Sequence, residues 1–403
     1  MRLSSRISRV QLPEYRPIIG MSIGEAEKSL WTWPGPGTLN ATHADTHRFP
    51  PPDWALEEFS KAASGAGNAY TAFRGDQSVL GILAPSLQSF LGIDVDPRKN
   101  IVLSAGTQGG LFATLSALVE PGDTVVLADP DYLSSERLLR YLGATVEHVL
   151  IRWQDGVPAL DTDELTNAFE RGAHLLLFSH PNNPTGAVYT PECIREIAAI
   201  IKRFDAFVVV DQLYSRLVYD GLPFAHLIAE EGMQERCVTT LGPSKAESMS
   251  GYRLGVVVGP TEIINAIEDV QAITSIRAPA YAQWTLCRWL SDDADFMASR
   301  IEDYQLLRDR TVGKLKQSNL VRLEVPRGSS YVFVDVSAIH RPIYEVAEVL
   351  LKEARVVVNP GYQFGPSGVN SFRLCFAQEE TRWDQTLDAV VASLEGLANR
   401  NGR

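Results

Sequence analysis

Cys237-Val238-Thr239-Thr240-Leu241-Gly242-Pro243-Ser244-Lys245, running on through Ala246 to Gly251, Tyr252 and Arg253, decides how the chain is read. An apolar, β-like run stops at Gly242-Pro243, and a lysine follows at once in a small polar turn. Arg253 comes eight residues after that lysine, just before a second apolar run from Leu254 to Val258. A lysine held at the mouth of a sheet, rather than on a helix face, can be desolvated and act as a carbonyl-trapping amine. A lysine after a strand is commonly a plain surface residue. The weight therefore rests on what the rest of the chain brings to it.

The 403 residues are enough for two domains, or for one large α/β domain carrying a smaller one. With 45% hydrophobic and 21% charged residues the composition is that of an ordinary globular protein. A net charge of −12 argues against nucleic acid and anionic membranes as partners, while leaving a small anionic substrate open, because local arginines decide that. Cys193, Cys237, Cys287 and Cys375 are widely spaced with no CxxC pair, so they read as reduced thiols, and no metal site is expected. Met1 to Arg6 is basic but precedes no apolar run of signal-peptide length, and nothing reaches the roughly 18 apolar residues of a membrane span. The expectation is a soluble, cytoplasmic enzyme.

Residues 1 to about 48 read as irregular, with a short helix over 23–30 leading into a proline- and glycine-rich turn over 31–37. Pro50-Pro51-Pro52 stops the chain before a helix over 54–64. From about residue 100 the pattern is strand, glycine-containing turn, helix, repeated. Strands are expected over 101–105, 124–128, 145–150, 175–179, 207–211, 238–241 and 254–258, and helices over 110–119, 134–142 and 191–203. Several strands are continuous apolar runs, as strands buried on both faces require. The order predicts a mostly parallel sheet between helices, with ligands at the carboxyl ends of the strands. Long helices are expected over 279–317. A smaller α+β region follows, with strands over 330–336, 356–358 and 372–376.

Four further groups fall at strand ends. Ser104-Ala105-Gly106-Thr107-Gln108-Gly109-Gly110 leaves a strand and opens a helix, a setting in which backbone N–H groups and the helix dipole can cradle a phosphate. It lacks the Gly-Lys-Ser/Thr of a nucleotide-triphosphate loop. Asp129-Pro130-Asp131-Tyr132 places an aromatic ring that can stack on a flat cofactor. His180-Pro181-Asn182-Asn183-Pro184-Thr185-Gly186 fixes the Asn183 amide in a rigid loop. Asp211 closes an apolar strand, where a carboxylate is costly unless it meets a cation such as a protonated pyridine nitrogen, and Tyr214 follows three residues on. An amine, a carboxylate, a phosphate cradle, a stacking ring and oxygen-directed donors are what pyridoxal phosphate needs.

With these residues in this order, Asp211 lying 28 residues after Asn183 and Lys245 34 after Asp211, the chain resembles the class I/II aminotransferases of fold type I across nearly its whole length. Tyr70 with Gly75, and Phe372-Arg373-Leu374, complete the likeness. The resemblance implies an α/β fold: a large pyridoxal-phosphate-binding domain over 49–300, its mostly parallel sheet between helices, and a smaller α+β domain over 301–403. An N-terminal segment, 1–48, would join the small domain and the site entrance. It implies that Lys245 carries the cofactor on its amine and later shuttles a proton, that Asp211 holds the proton of the ring nitrogen, and that Asn183 and Tyr214 hydrogen-bond the 3′-oxygen. Tyr132 would stack on the ring; Gly106, Thr107, Gln108, Ser244 and Arg253 would bind the phosphate; Arg373, beside Asn183, would grip the substrate α-carboxylate. Tyr70 would reach the phosphate of a neighbouring subunit, which implies a homodimer with shared sites. The implied reaction moves an amino group between an L-amino acid and a 2-oxo acid.

Two departures from the family pattern stand out. Many relatives have a serine where Gly242 stands, so one phosphate contact is expected to be missing. The segment from Asn40 to Arg48, where relatives carry a glycine-proline lining, is polar and bulky, which points to an unusual substrate or to lyase, decarboxylase or oxidase chemistry on the same fold. A non-catalytic regulator of this fold is a further alternative, against which the retained lysine argues. Arg277, in the loop Ser275 to Pro279, is a cation placed to pair with a substrate side-chain carboxylate or to face solvent.

Overall fold

The computed structural model describes residues 4–10, 37–43, 48–291 and 293–400. The helix expected over 23–30, the turn over 31–36 and residues 44–47 of the polar N-terminal run lie outside the described residues. Thirteen strands, taken in chain order among the described residues, are Leu39–Asn40 (β1), Ile101–Ala105 (β2), Thr124–Asp129 (β3), Thr145–Gln154 (β4), Val157–Leu160 (β5), Leu175–Ser179 (β6), Phe207–Asp211 (β7), Cys237–Leu241 (β8), Leu254–Val258 (β9), Tyr331–Asp335 (β10), Val356–Val357 (β11), Asn359–Pro360 (β12) and Ser371–Cys375 (β13). Eight of them form one sheet in the order β2-β9-β8-β7-β6-β3-β4-β5. The run β8-β7-β6-β3-β4 is parallel, while β9 and β5 run antiparallel to their neighbours.

The apolar runs are buried on both faces, as their composition demands. Along β6, Leu176 and Phe178 enter one core with Val208 and Val210, while Leu175 and Leu177 enter the opposite one with Val125 and Val209. Helices Gln77–Leu91 and Pro191–Arg203 cover the first face, and Gly106–Leu118 and Thr261–Ile273 the second. Register fixes where the parallel strands stop: Ser179 lies opposite Asp211, and Asp211 opposite Thr240. The loops after β3, β6, β7 and β8 therefore open on one edge. Because β9 runs the other way, Arg253, just before its start, arrives at that same edge, where Leu254 pairs with Ala105 at the end of β2.

A second core is built on the antiparallel sheet β10-β13-β12 and the helices Ala294–Leu315, Ile343–Val349 and Glu380–Asn399. Leu39, Ala41 and Phe49 belong to this core, and β1 pairs with β11. Tyr214 and Ala246, from loops of the large sheet, reach it as well.

Three expectations need correction. The N-terminal stretch is not irregular throughout: Leu39–Asn40 is a strand, and Ser5–Arg9 a single helical turn. The helix after β2 starts at Gly106 rather than 110, because Gly110 lets it press on the sheet, where a Cβ would lie 2.7 Å from Val257. The helical reading of 279–317 breaks after Cys287 and resumes at Ala294. Leu290 takes φ 66° in the break. There Trp289 turns inward, its indole donating to Glu247 at 2.8 Å.

That break serves a buried ion cluster. Arg216 donates to both oxygens of Asp293 at 2.7 and 2.8 Å and to Glu247, whose side chain is fully enclosed. Arg216 sits two residues after Tyr214, and Glu247 two after Lys245, so the cluster ties their loops to each other. Arg300 adds a clamp on the same turn, donating to the Ala246 carbonyl at 3.1 Å and Ser248 Oγ at 2.9 Å. Removing one member of such a cluster strands a buried charge, a loss of roughly 3–5 kcal/mol. We expect Arg216→Ala to lower Tm by more than about 5 °C in calorimetry. Arg195→Ala, which breaks an exposed ion pair with Glu192, should stay within about 0.5 kcal/mol of the parent.

Candidate active site

A cavity of about 400 Å³ opens at the strand edge where the two cores meet. Lys245 lines it from the turn after β8, and Asp211 from the end of β7. Asp211 faces the cavity but is enclosed elsewhere, with only the Leu213 N–H at 3.1 Å and Thr240 Oγ1 at 3.4 Å as donors. Burial pushes its carboxyl up to about 6, against the opposing pull of those donors and of the Lys245 charge. It is a carboxylate placed for a cation that the neighbouring side chains supply only in part.

The helix Gly106–Leu118 points its first turn at the cavity, with Thr107 and Gln108 in the lining and no side chain capping it. Its leading N–H groups are thus left for an anion. Gly106, at φ 76°, donates its N–H to the Arg253 carbonyl at 2.9 Å, and a Cβ there would run into the Arg253 guanidinium. Ser244 and Arg253 complete that corner. At Gly242 a Cβ would stand 3.0 Å from the Leu254 carbonyl and 3.1 Å from Thr107 Oγ1, so the strand end packs closely there.

On the opposite wall, Tyr132 follows Asp131, which is wholly buried and gathers the Ser179 N–H at 2.8 Å, Ser179 Oγ at 3.0 Å and the Asn182 amide at 3.1 Å. Burial pushes the Asp131 carboxyl up to about 7. The network locks the 180–186 loop, so that Asn183 presents its amide: Oδ1 accepts from Arg373 at 2.6 Å, leaving Nδ2 as a donor. Tyr214 donates to the Tyr331 hydroxyl at 3.0 Å.

Arg373, 2% exposed, is held by Asn183, Asn359 Oδ1 at 2.7 Å and the Thr42 carbonyl, with its guanidinium 3.9 Å from the centre of the Tyr331 ring. No carboxylate among the described residues pairs with it. Glu379 instead caps the helix Glu380–Asn399, accepting from Thr381 and Arg382. The structure thus brings together every site residue expected from sequence, with Gly106 shaping the Arg253 corner, except Tyr70. Tyr70 is 86% exposed and lies in a separate surface depression, with Arg277 stacked 4.3 Å above its ring. Sequence reading missed Arg137, Tyr331, Asn359 and Gln363, which also line the cavity. Of these only Asn359, which stops an apolar run just before Pro360-Gly361, carried a local signal.

A model of the family "aminotransferase class I and II" matches residues 38–390. The chain belongs to that family. It is 30% identical to an aspartate aminotransferase of Musicola paradisiaca, over 87% of this chain and 86% of that one. Human kynurenine–oxoglutarate transaminase 3 is 29% identical, over 84% and 81%. The crystal structure of an aspartate aminotransferase from Rhodobacter sphaeroides superposes with a TM-score of 0.86 at 37% identity, covering 89% of this chain and 92% of that one. The protein is a pyridoxal-phosphate-dependent aminotransferase of fold type I. Among the described residues, no helix is long and apolar enough to cross a membrane.

Without a cationic ligand, an ionised Asp211 is a liability for the fold. Its raised value means that the folded state disfavours the charged form, so stability is lost as pH climbs from the ordinary carboxylate range through about 6. The cofactor-free Asp211→Asn protein should be more stable than the parent at pH 7–8, by roughly 1–2 kcal/mol once the solvated cavity is allowed for. The gap should roughly halve by pH 5 and close only at about pH 4 or below, in the ordinary carboxylate range. Thermal midpoints measured in parallel check this, and a variant less stable at every pH contradicts it.

Proposed function

We propose that this cavity moves an amino group between an L-amino acid and a 2-oxo acid, with Lys245 as the amine that carries the cofactor and Asp211 as the partner of its ring nitrogen. The reading is carried by one observation: an underpaired, enclosed carboxylate and a lysine at adjacent strand ends of one cavity that also holds a guanidinium without a carboxylate. Bound pyridoxal phosphate supplies an electron sink joined to the substrate Cα. In this reading Asp211 keeps the ring nitrogen protonated, Asn183 Nδ2 donates to the ring oxygen, and the Tyr214 hydroxyl turns its proton from Tyr331 to that oxygen. Tyr132 covers the ring. The uncapped helix start at Thr107 and Gln108, with Ser244 and Arg253, receives the phosphate. Arg373, already oriented by Asn183 and Asn359, takes the substrate α-carboxylate in two parallel hydrogen bonds, and Lys245 Nζ moves the proton at Cα.

The same reading divides the chain into an entrance segment over 1–48, a large cofactor-binding domain over 49–300 and a small domain over 301–403. It places the protein in the cytoplasm as a homodimer. Support for the dimer is a patch of exposed apolar residues around Tyr70: Phe73, Ile273, Ile276 and Tyr281. Arg277 lies over Phe73 as well as Tyr70.

A panel of amino acids and 2-oxo acids, followed by absorbance, tests the reaction. Borohydride treatment of the holoenzyme should label Lys245, and label on another lysine removes the assignment. Arg373→Lys should bind cofactor and melt near the parent, yet lose at least about 100-fold in kcat/KM for every amino acid, because a point charge cannot replace the fork. Unchanged kinetics would return Arg373 to a structural role. For the dimer, mixed Tyr70→Phe and Lys245→Ala chains, each impaired alone, should regain activity in verified hybrids. Hybrids without recovery count against shared sites.

A further inference from the structure

Tyr214 and Tyr331 hold one proton more than they can share. Both phenols line the cavity, both are nearly enclosed, and their hydroxyl oxygens lie 3.0 Å apart. Each hydroxyl carries one proton, and only one of the two can lie between the oxygens. Among the described residues neither hydroxyl has another hydrogen-bond partner, so the second proton is left for a ligand oxygen.

The fold, not sequence proximity, assembles this pair. Val218 bridges Gly328, with the Ser329 N–H donating to the Leu217 carbonyl at 3.0 Å and the Tyr219 N–H to the Arg327 carbonyl at 2.9 Å. That seam lays the Tyr214 loop beside the start of β10, where Tyr331 stands. On β13, Arg373 pairs with Phe333, two residues on from Tyr331, so Arg373 and Tyr331 share one face of the small sheet. The Arg373 guanidinium sits 3.9 Å from the centre of the Tyr331 ring. A cation over the ring face draws electron density from the phenol and makes its O–H a better donor. Once the Tyr214 proton turns to the cofactor, the Tyr331 proton alone can fill the space between the two oxygens.

We propose that Tyr331 is a positioning residue, which donates its proton to the Tyr214 hydroxyl and thereby fixes and strengthens the hydrogen bond from Tyr214 to the cofactor ring oxygen. This rests on the reading that pyridoxal phosphate fills the cavity with that oxygen towards Tyr214. A side chain of the antiparallel sheet then tunes a cofactor seated on the parallel one.

Titration of the Lys245 nitrogen in the loaded protein reports the strength of that bond. When this nitrogen gives up its proton, the ring oxygen loses an internal N–H and leans harder on outside donors. A stronger Tyr214 donor therefore lowers the midpoint. Around the pair stand Arg373 and Cys375 from β13, Tyr304 from the helix Ala294–Leu315, and Lys245. Burial holds the Tyr214 and Tyr304 phenols and the Cys375 thiol in their protonated forms. Asp211 is intact in every variant, so differences between them report the pair.

The loaded parent, Tyr331→Phe, Tyr214→Phe and the double variant are titrated with pH while the visible absorbance of the bound cofactor is followed. Tyr331→Phe should raise the midpoint by about 0.3–1 pH unit, and Tyr214→Phe by more. The double variant should match Tyr214→Phe, because without that hydroxyl Tyr331 has nothing to strengthen. Replacing Tyr331 with a ring-fluorinated tyrosine, a more acidic phenol of nearly the same size, should move the midpoint down. Altered packing does not produce such a change of sign. Butyrate affinity, read by calorimetry, should change less than about twofold in Tyr331→Phe, since the ring under Arg373 stays. An unmoved midpoint in Tyr331→Phe, or shifts that add in the double variant, overturns the proposal. A butyrate loss above about tenfold makes Tyr331 a prop for Arg373 and overturns it too. Should Tyr331→Phe not fold, the fluorinated protein decides alone, and a midpoint that stays or rises refutes the relay. Amino transfer is assayed separately. Midpoints that shift as expected in a protein that transfers no amino group sink the function proposed above and spare the relay. Amino transfer with a shift in Tyr214→Phe and none in Tyr331→Phe does the reverse.

Discussion

Three parallel strands must stop level. Ser179, Asp211 and Thr240 stand side by side across β6, β7 and β8, and the loops that follow carry Asn183, Tyr214 and Lys245. A slip of one residue in any pair would turn alternate side chains to the other face of the sheet and remove its loop from the cavity. Leu175 to Phe178 are buried on both sides, so each core resists such a slip. Packing that has nothing to do with chemistry is thus what holds the reactive groups at one edge.

Charges buried around that edge fall into two kinds. Arg216, Glu247 and Asp293 neutralise one another and act as a staple between loops. Asp211, Arg137 and Arg373 are enclosed without matching counter-charges from the protein. The first kind rigidifies; the second leaves unspent electrostatic attraction for ligands, at some expense in stability.

Much of this could be read along the chain because the relevant signals are local. An apolar run ended by proline, glycine and a polar residue announces both a strand end and the side chain presented there, and β6 with its Asn183 loop and β8 with Lys245 were legible for that reason. The break before Ala294 was not, since it depends on Trp289 finding Glu247 across 42 residues. Arg137 was hidden differently. Beside Glu136 and Arg140 it looks like one charge on a solvated helix face, and only the Gln363 turn, 226 residues away, encloses it. Tyr70 had the opposite problem: its sequence signal is a family pattern, while its surroundings in a single chain are surface.

The pairing of β1 with β11 has a consequence for how the protein is made. Leu39 and Asn40 find their partners at Val356 and Val357, and the Thr42 carbonyl finds Arg373. A ribosome delivers the first of these more than 300 residues before the second. The large sheet, complete by Val258, can assemble while the early segment waits. The wall that holds Arg373 then closes among the last events of synthesis, so a nascent chain can own a folded sheet and still lack the carboxylate grip proposed for Arg373.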